Sequence, residues 1–194
     1  MDRVIFALNQ ALASELVCVL RYKRHCHSAQ GLNAQAAAAE FLQHAGEEAH
    51  HANLIAARIT QLRREPDFNP GTLTGRSHSQ YDSSAELEEM IREDLVSERV
   101  ATASYTEIIT WLGDGDPTTR RTLEEILALE EEHAEDMLNL LDQSEVEPVE
   151  VTRSNALNGF VTKRQKDSVL EEIPISVESG WTEIARHQVK PLRT

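Results

Sequence analysis

The sequence predicts an all-α fold: a four-helix bundle built from two antiparallel hairpins joined by one long crossover, followed by a C-terminal extension. Three observations carry this expectation. Ala, Leu and Glu dominate a chain of 194 residues with only 5% aromatics, a composition that suits helices better than sheets. Apolar residues recur at helical spacing through the long segments. The breaks between those segments run short, long, short.

Segment 3–28 places Ile5, Leu8, Leu12, Leu16, Val19 and Leu20 on a helical rhythm and is punctuated by Gly31. Segment 33–63 is rich in alanine and stops before Pro66. Residues 65–82, EPDFNPGTLTGRSHSQYD, read as a long polar connection with two prolines and two glycines. Ser83 and Glu86 predict a capping box for a third helix over about 84–113. GDGDP then breaks the chain, with Asp116 as N-cap and Pro117 at the first position of a fourth helix that runs to about 143. The bundle is expected over 1–143 and the extension over 144–194. In the extension, IPISV reads as a short strand and GWTEIARH as one or two helical turns.

Charge is unevenly spread. Residues 151–194 hold seven Lys/Arg against five Asp/Glu, so of the net −14 about −16 falls on residues 1–150. A body this acidic repels phosphate backbones and attracts metal cations. Nucleic acid is therefore not an expected partner, and the weakly basic end HQVKPLRT is too thin to reverse that. Cys18 and Cys26 make no disulfide or metal framework. No apolar run is read as membrane-spanning, and MDRVIFALNQ lacks a signal-peptide pattern; a reducing cytoplasm and no membrane are expected.

An internal repeat carries the chemistry. Glu15 is followed 33 residues later by Glu48 and then His51; Glu98 is followed 32 residues later by Glu130 and then His133. The midpoint of each pair falls in a predicted turn, so each glutamate stands roughly 24 Å from its turn at 1.5 Å per residue. Antiparallel hairpins then bring all four carboxylates and both imidazoles to mid-bundle. The three-residue spacing in each Glu-x-x-His puts both side chains on one face. Four carboxylates in an apolar core without partners would be very costly, and two divalent cations would remove that cost. Carboxylate oxygens with neutral imidazoles suit iron or manganese. A single Glu-x-x-His is a weak signal; two copies, each with a glutamate at matched height, are a strong one.

This arrangement resembles bacterioferritin and the Dps-like ferritins, over about residues 3–143. The likeness rests on LASELVCVLRY, EEAHHA, EDLVSERVA and ILALEEEHAEDM. It implies a ferritin-like bundle in which Glu15, Glu48, His51, Glu98, Glu130 and His133 bind two irons per subunit. It implies oxidation of Fe(II) by O2 or H2O2 and a hollow homo-oligomeric cage, a 12-mer or 24-mer, that stores ferric mineral. Ala49 stands where bacterioferritin carries its haem-ligating methionine, and Met90 and Met137 do not substitute by position, so haem is not expected. The alternative function is a di-iron or di-manganese peroxidase or catalase on the same fold; the rubrerythrin version lacks its Cys-x-x-Cys motif.

Tyr22 and Tyr105 each follow a proposed ligand glutamate by two helical turns, and with Glu47 they are the candidates for residues beside the metals. Tyr22 matches a family tyrosine near the site, and Glu47 an inner-surface acidic position. The competing readings are bundle-core aromatics and a solvated face. His50 is expected to point about 100° from His51 and to serve packing or an interface. His44 is read as a surface histidine rather than a neighbour of the site, and Cys18 as a small buried thiol. Glu131 and Glu132 are expected to face water or a cavity. Trp111 and Trp181 read as packing residues.

Overall fold

The computed structural model describes residues 2–31 and 34–144. Four long helices carry it: α1 (Asp2–Ser28), α2 (Ala34–Gln61), α4 (Leu87–Leu112) and α5 (Pro117–Ser144), with a 3-10 turn (Pro70–Thr72) and a one-turn helix α3 (Leu73–Arg76) in the crossover. The principal pairs are α1 with α2 and α4 with α5, the two hairpins. All lie within one compact unit, Met1–Glu147. The proposed strand at IPISV, the helical turn at GWTEIARH, Trp181 and the extension beyond Ser144 lie outside the described residues.

Leu8, Leu12, Glu15, Val19 and Tyr22, alternating four and three residues apart, share the buried stripe of α1. Leu20, which the sequence places on the apolar rhythm, is exposed, and so is Trp111, where Arg3 lies over the ring at 5.7 Å. By length and composition α1 is apolar enough to cross a membrane, contrary to the expectation from sequence. Here it is a core helix: Glu15, Arg21 and His25 are all buried against its neighbours.

The helix ends follow local chemistry. Asp116 caps α5 as expected: its carboxylate accepts the Thr119 N–H at 3.1 Å and the Thr119 hydroxyl at 2.6 Å, with Pro117 at the first position. Arg63, at φ 61°, closes α2 in the left-handed conformation, with Arg63 N–H bonded to Thr60 O and Arg64 N–H to Ile59 O. The capping box at Ser83 does not form. Asp82 accepts the Ser84 N–H at 2.8 Å, and Arg24 takes the Ser83 and Ser84 carbonyls, so this stretch is an extended arm and α4 starts only at Leu87.

The crossover is more ordered than a polar linker. Asn9 accepts the Asp67 N–H and its carbonyl takes Arg76; Ser14 accepts the His78 N–H; Arg21 reaches the Gln80 carbonyl; Arg24 holds residues 83 and 84. The strap thus runs alongside α1 and is pinned to it at almost every turn.

Candidate metal centre

The two hairpins bring Glu15 (α1), Glu48 and His51 (α2), Glu98 (α4), and Glu130 and His133 (α5) into one buried cluster; none is more than 2% exposed. The six form two overlapping groups of four. Glu15, Glu48, His51 and Glu130 make one, and Glu48, Glu98, Glu130 and His133 the other, each with its donor atoms within 4.8 Å of one another. Glu48 and Glu130 belong to both.

Individual atoms show how the sharing works. His51 Nδ1 lies 3.4 Å from Glu15 Oε2, 3.5 Å from Glu48 Oε2 and 2.9 Å from Glu130 Oε1. His133 Nδ1 lies 3.5 Å from Glu48 Oε1, 3.9 Å from Glu98 Oε2 and 3.8 Å from Glu130 Oε2. Glu48 and Glu130 therefore divide their two oxygens between the imidazoles. Both oxygens of each, with Glu15 Oε2, Glu98 Oε2, His51 Nδ1 and His133 Nδ1, are buried without a hydrogen-bond partner, and so is His51 Nε2, which carries the ring hydrogen when Nδ1 offers its lone pair. Buried polar atoms are normally satisfied. Carboxylate oxygens and imidazole Nδ1 atoms left unpaired and convergent in this way fit divalent cations.

The remaining atoms of the two outer glutamates are tied down. Tyr105 donates to Glu15 Oε1 and Tyr22 donates to Glu98 Oε1, the latter at 2.6 Å. Each phenol leaves its carboxylate one oxygen aimed at the centre. Glu47, half-buried on α2, accepts from His133 Nε2 at 2.9 Å, which puts the ring proton on that nitrogen and the free lone pair on Nδ1. Glu47 is thus a partner of the site rather than part of a solvated face.

Electrostatics reflect the crowding. Burial and the Glu48 charge push Glu15 well above the usual carboxylate range. Burial and neighbouring carboxylates do the same to Glu130, and more mildly to Glu98. Burial alone would raise Glu48 too, but its contacts with Glu15, His133 and His51 reverse that and lower it. Burial works against a charged His51, yet Glu15 and Glu48 outweigh it and push the ring up to about 10. Burial and mutual repulsion thus hold Glu15, Glu98 and Glu130 above the usual carboxylate range, while Glu48, which its neighbours contact from both sides, is held below it.

Outside the six, the sequence reading missed several participants. His44 is fully buried, not at the surface: its ring stacks on His133 with centroids 4.1 Å apart, and Nδ1 meets the Tyr22 hydroxyl at 3.3 Å. Its signal was the α2 stripe Glu40, His44, Glu48 at four-residue steps. Arg21, Asp94 and His25 form a buried network behind Glu98. Arg21 Nε donates to Asp94 at 2.6 Å, His25 Nδ1 meets the same carboxylate at 2.8 Å, and Arg21 lies 3.5 Å from Glu98. Cys18 is buried beside Ser79 and Arg21, and burial pushes its thiol well up. His50, Glu131 and Glu132 are exposed.

Comparison with known proteins agrees with this architecture. A family model describing the ferritin-like domain matches residues 5–145. A comparison with curated proteins gave no match. Among solved structures the chain is similar to a dodecameric thioferritin, the bacterioferritin-related protein of Bacteroides fragilis. That likeness has 32% identity and a TM-score of 0.71, and covers 74% of this chain and 86% of that one. Dps from Thermosynechococcus elongatus is similar in fold, with 17% identity, TM-score 0.70, and 72% and 90% covered. So is Dps from Vibrio cholerae O1, described as a member of a superfamily of ferritin-like diiron-carboxylate proteins, with 16% identity, TM-score 0.68, and 72% and 89% covered. Given the match over residues 5–145 and the thioferritin likeness, this chain, with its buried Glu/His clusters, belongs to the ferritin-like family.

Proposed function

We propose that the chain is a ferroxidase and iron-storage protein that oxidises Fe(II) with O2 or H2O2 at a dinuclear centre inside each subunit. The single observation that supports this most is the pair of overlapping donor sets sharing Glu48 and Glu130. Four ionised carboxylates neutralise two divalent cations, so the core carries no net charge once both sites fill, and the desolvation cost of the bare cluster is offset. Glu15 with His51 serves one ion, Glu98 with His133 the other, and the shared pair links them. Manganese fits the same donors; iron is favoured by the family.

Iron here is substrate: each Fe(II) gives one electron, so two reduce one H2O2 to water and four reduce one O2, with protons taken from solvent. The protein's residues hold the donors in place. Tyr22 and Tyr105 keep the outer carboxylates single-ended toward the centre, and Glu47 orients His133. Stored Fe(III) requires a cavity between subunits, and the likeness to a dodecamer favours a 12-mer over a 24-mer. The test is the initial rate of Fe(II) oxidation followed in the ultraviolet for wild type and Glu98→Ala. A loss of tenfold or more is expected; equal rates would overturn the site. Size-exclusion chromatography separates a storage cage of hundreds of kilodaltons from a dimeric peroxidase or catalase.

A further inference from the structure

A third cluster of donors stands beside the six. On α2, Glu40 and His44 lie one turn apart; Asp136 comes across from α5. His44 Nε2 is 3.4 Å from Glu40 Oε1 and 3.4 Å from Asp136 Oδ2. Both carboxylates are about one-third exposed, while the imidazole is fully buried and its Nε2 has no hydrogen-bond partner.

The tautomer of His44 follows from its other nitrogen. The Tyr22 hydroxyl has one hydrogen and two neighbours, Glu98 at 2.6 Å and His44 Nδ1 at 3.3 Å. The shorter contact to an acceptor-only carboxylate takes the hydrogen. The phenol oxygen is then left to accept from His44 Nδ1–H. In a neutral imidazole that leaves a bare lone pair on Nε2, pointing at two carboxylates that also offer only lone pairs. With metal–donor bonds of about 2.1 Å, donors 3.4 Å apart subtend an angle of about 110°, an ordinary coordination angle.

We propose that Glu40, His44 and Asp136 form a separate mononuclear site for a divalent transition-metal cation, open to solvent on its carboxylate side. The remaining positions belong to water. Two connections tie it to the six-donor cluster: the ring stack of His44 on His133, and the relay from His44 through the Tyr22 hydroxyl to Glu98. Its carboxylates are partly exposed, whereas the six donors are buried.

Co(II) titration of the intact protein, read by visible absorption and by metal content after desalting, tests the site. Wild type is expected to hold three Co(II) per chain, the double variant Glu40→Gln/Asp136→Asn two, and Glu48→Ala, which disables the shared ligand of the dinuclear cluster, one. Both substitutions in the double variant are isosteric and at partly exposed positions, so the fold is retained, as the unchanged helical circular dichroism will show. A double variant that binds as many ions as wild type overturns the proposal. If the double variant loses one ion while Glu48→Ala loses none, the mononuclear site stands and the dinuclear reading fails.

Discussion

Tyr105, on α4, donates its hydroxyl hydrogen to Glu15, on α1, and the exchange is reciprocal, because Tyr22 on α1 donates to Glu98 on α4. Each tyrosine sits two turns beyond one outer glutamate and secures the other. The two helices thereby fix each other's carboxylates. Removing a hydroxyl strands a buried carboxylate oxygen and frees the side chain to rotate. Tyr105→Phe is expected to weaken metal binding at the Glu15 half, and Tyr22→Phe at the Glu98 half, each by about tenfold to a hundredfold. Competition against a chromophoric chelator measures this; unchanged affinities would mean that the phenols are only packing.

Glu48 and Glu15 differ in how many donor sets they serve. Glu48→Ala is expected to empty both positions of the six-donor cluster, whereas Glu15→Ala empties one. Metal content of the purified variants, counted against wild type, gives the answer. Equal losses for the two would contradict the sharing of Glu48.

The protonation of the bare cluster gives a pH signature. Glu15, Glu98 and Glu130 have folded-state values raised above the usual carboxylate range, so the stability they contribute is present below the unfolded value of 4.5 and is lost as pH rises through their folded values. His51, raised from 6.5 to about 10, acts in the same direction, contributing fully below 6.5 and losing it as pH approaches about 10. Glu48, lowered, works the other way: its contribution is present above 4.5 and fades only in stronger acid. Metal-free protein is therefore expected to melt at progressively lower temperature as pH rises from 5 toward 10. Metal loading should release protons across the same interval. Thermal melts with and without metal, and calorimetry in two buffers of different ionisation enthalpy, check both statements. A metal-free melting curve flat in pH would refute them.

Asp94 is the hinge of the buried polar network. It compensates Arg21 at 2.6 Å and engages His25 at 2.8 Å with no exposure to solvent. Asp94→Ala leaves a guanidinium buried without its main counter-ion, with an expected cost of about 3–5 kcal/mol in urea unfolding of metal-free protein. A loss under 1 kcal/mol would show that Glu98 alone suffices for Arg21.

Much of this molecule was legible from residue spacing. The four helices follow from apolar periodicity, and the Asp116–Pro117 start of α5 from local capping. The six donors come together because each pair of glutamates is symmetric about its turn, a relation that survives any detail of packing. The residues that sequence reading missed depend on non-local geometry. Arg21 finds Asp94 only once α1 and α4 are rotated against each other. His44 is buried because α1 and α5 bring Tyr22 and His133 against its ring. The Ser83 cap fails for the same reason: Arg24, some sixty positions earlier, competes for that backbone.

The strap pinned along α1 has a consequence for how the chain tolerates cutting. Long connections between helices are ordinarily where proteases nick and where circular permutants succeed. Here Asp67, His78, Gln80, Ser83 and Ser84 each have a backbone N–H or C=O engaged by an α1 side chain, so the stretch behaves as part of the scaffold. New termini opened there would detach the strap from α1, whereas the tight bend at Gly113–Gly115, with Asp114 and Gly115 exposed, is the place to open the chain.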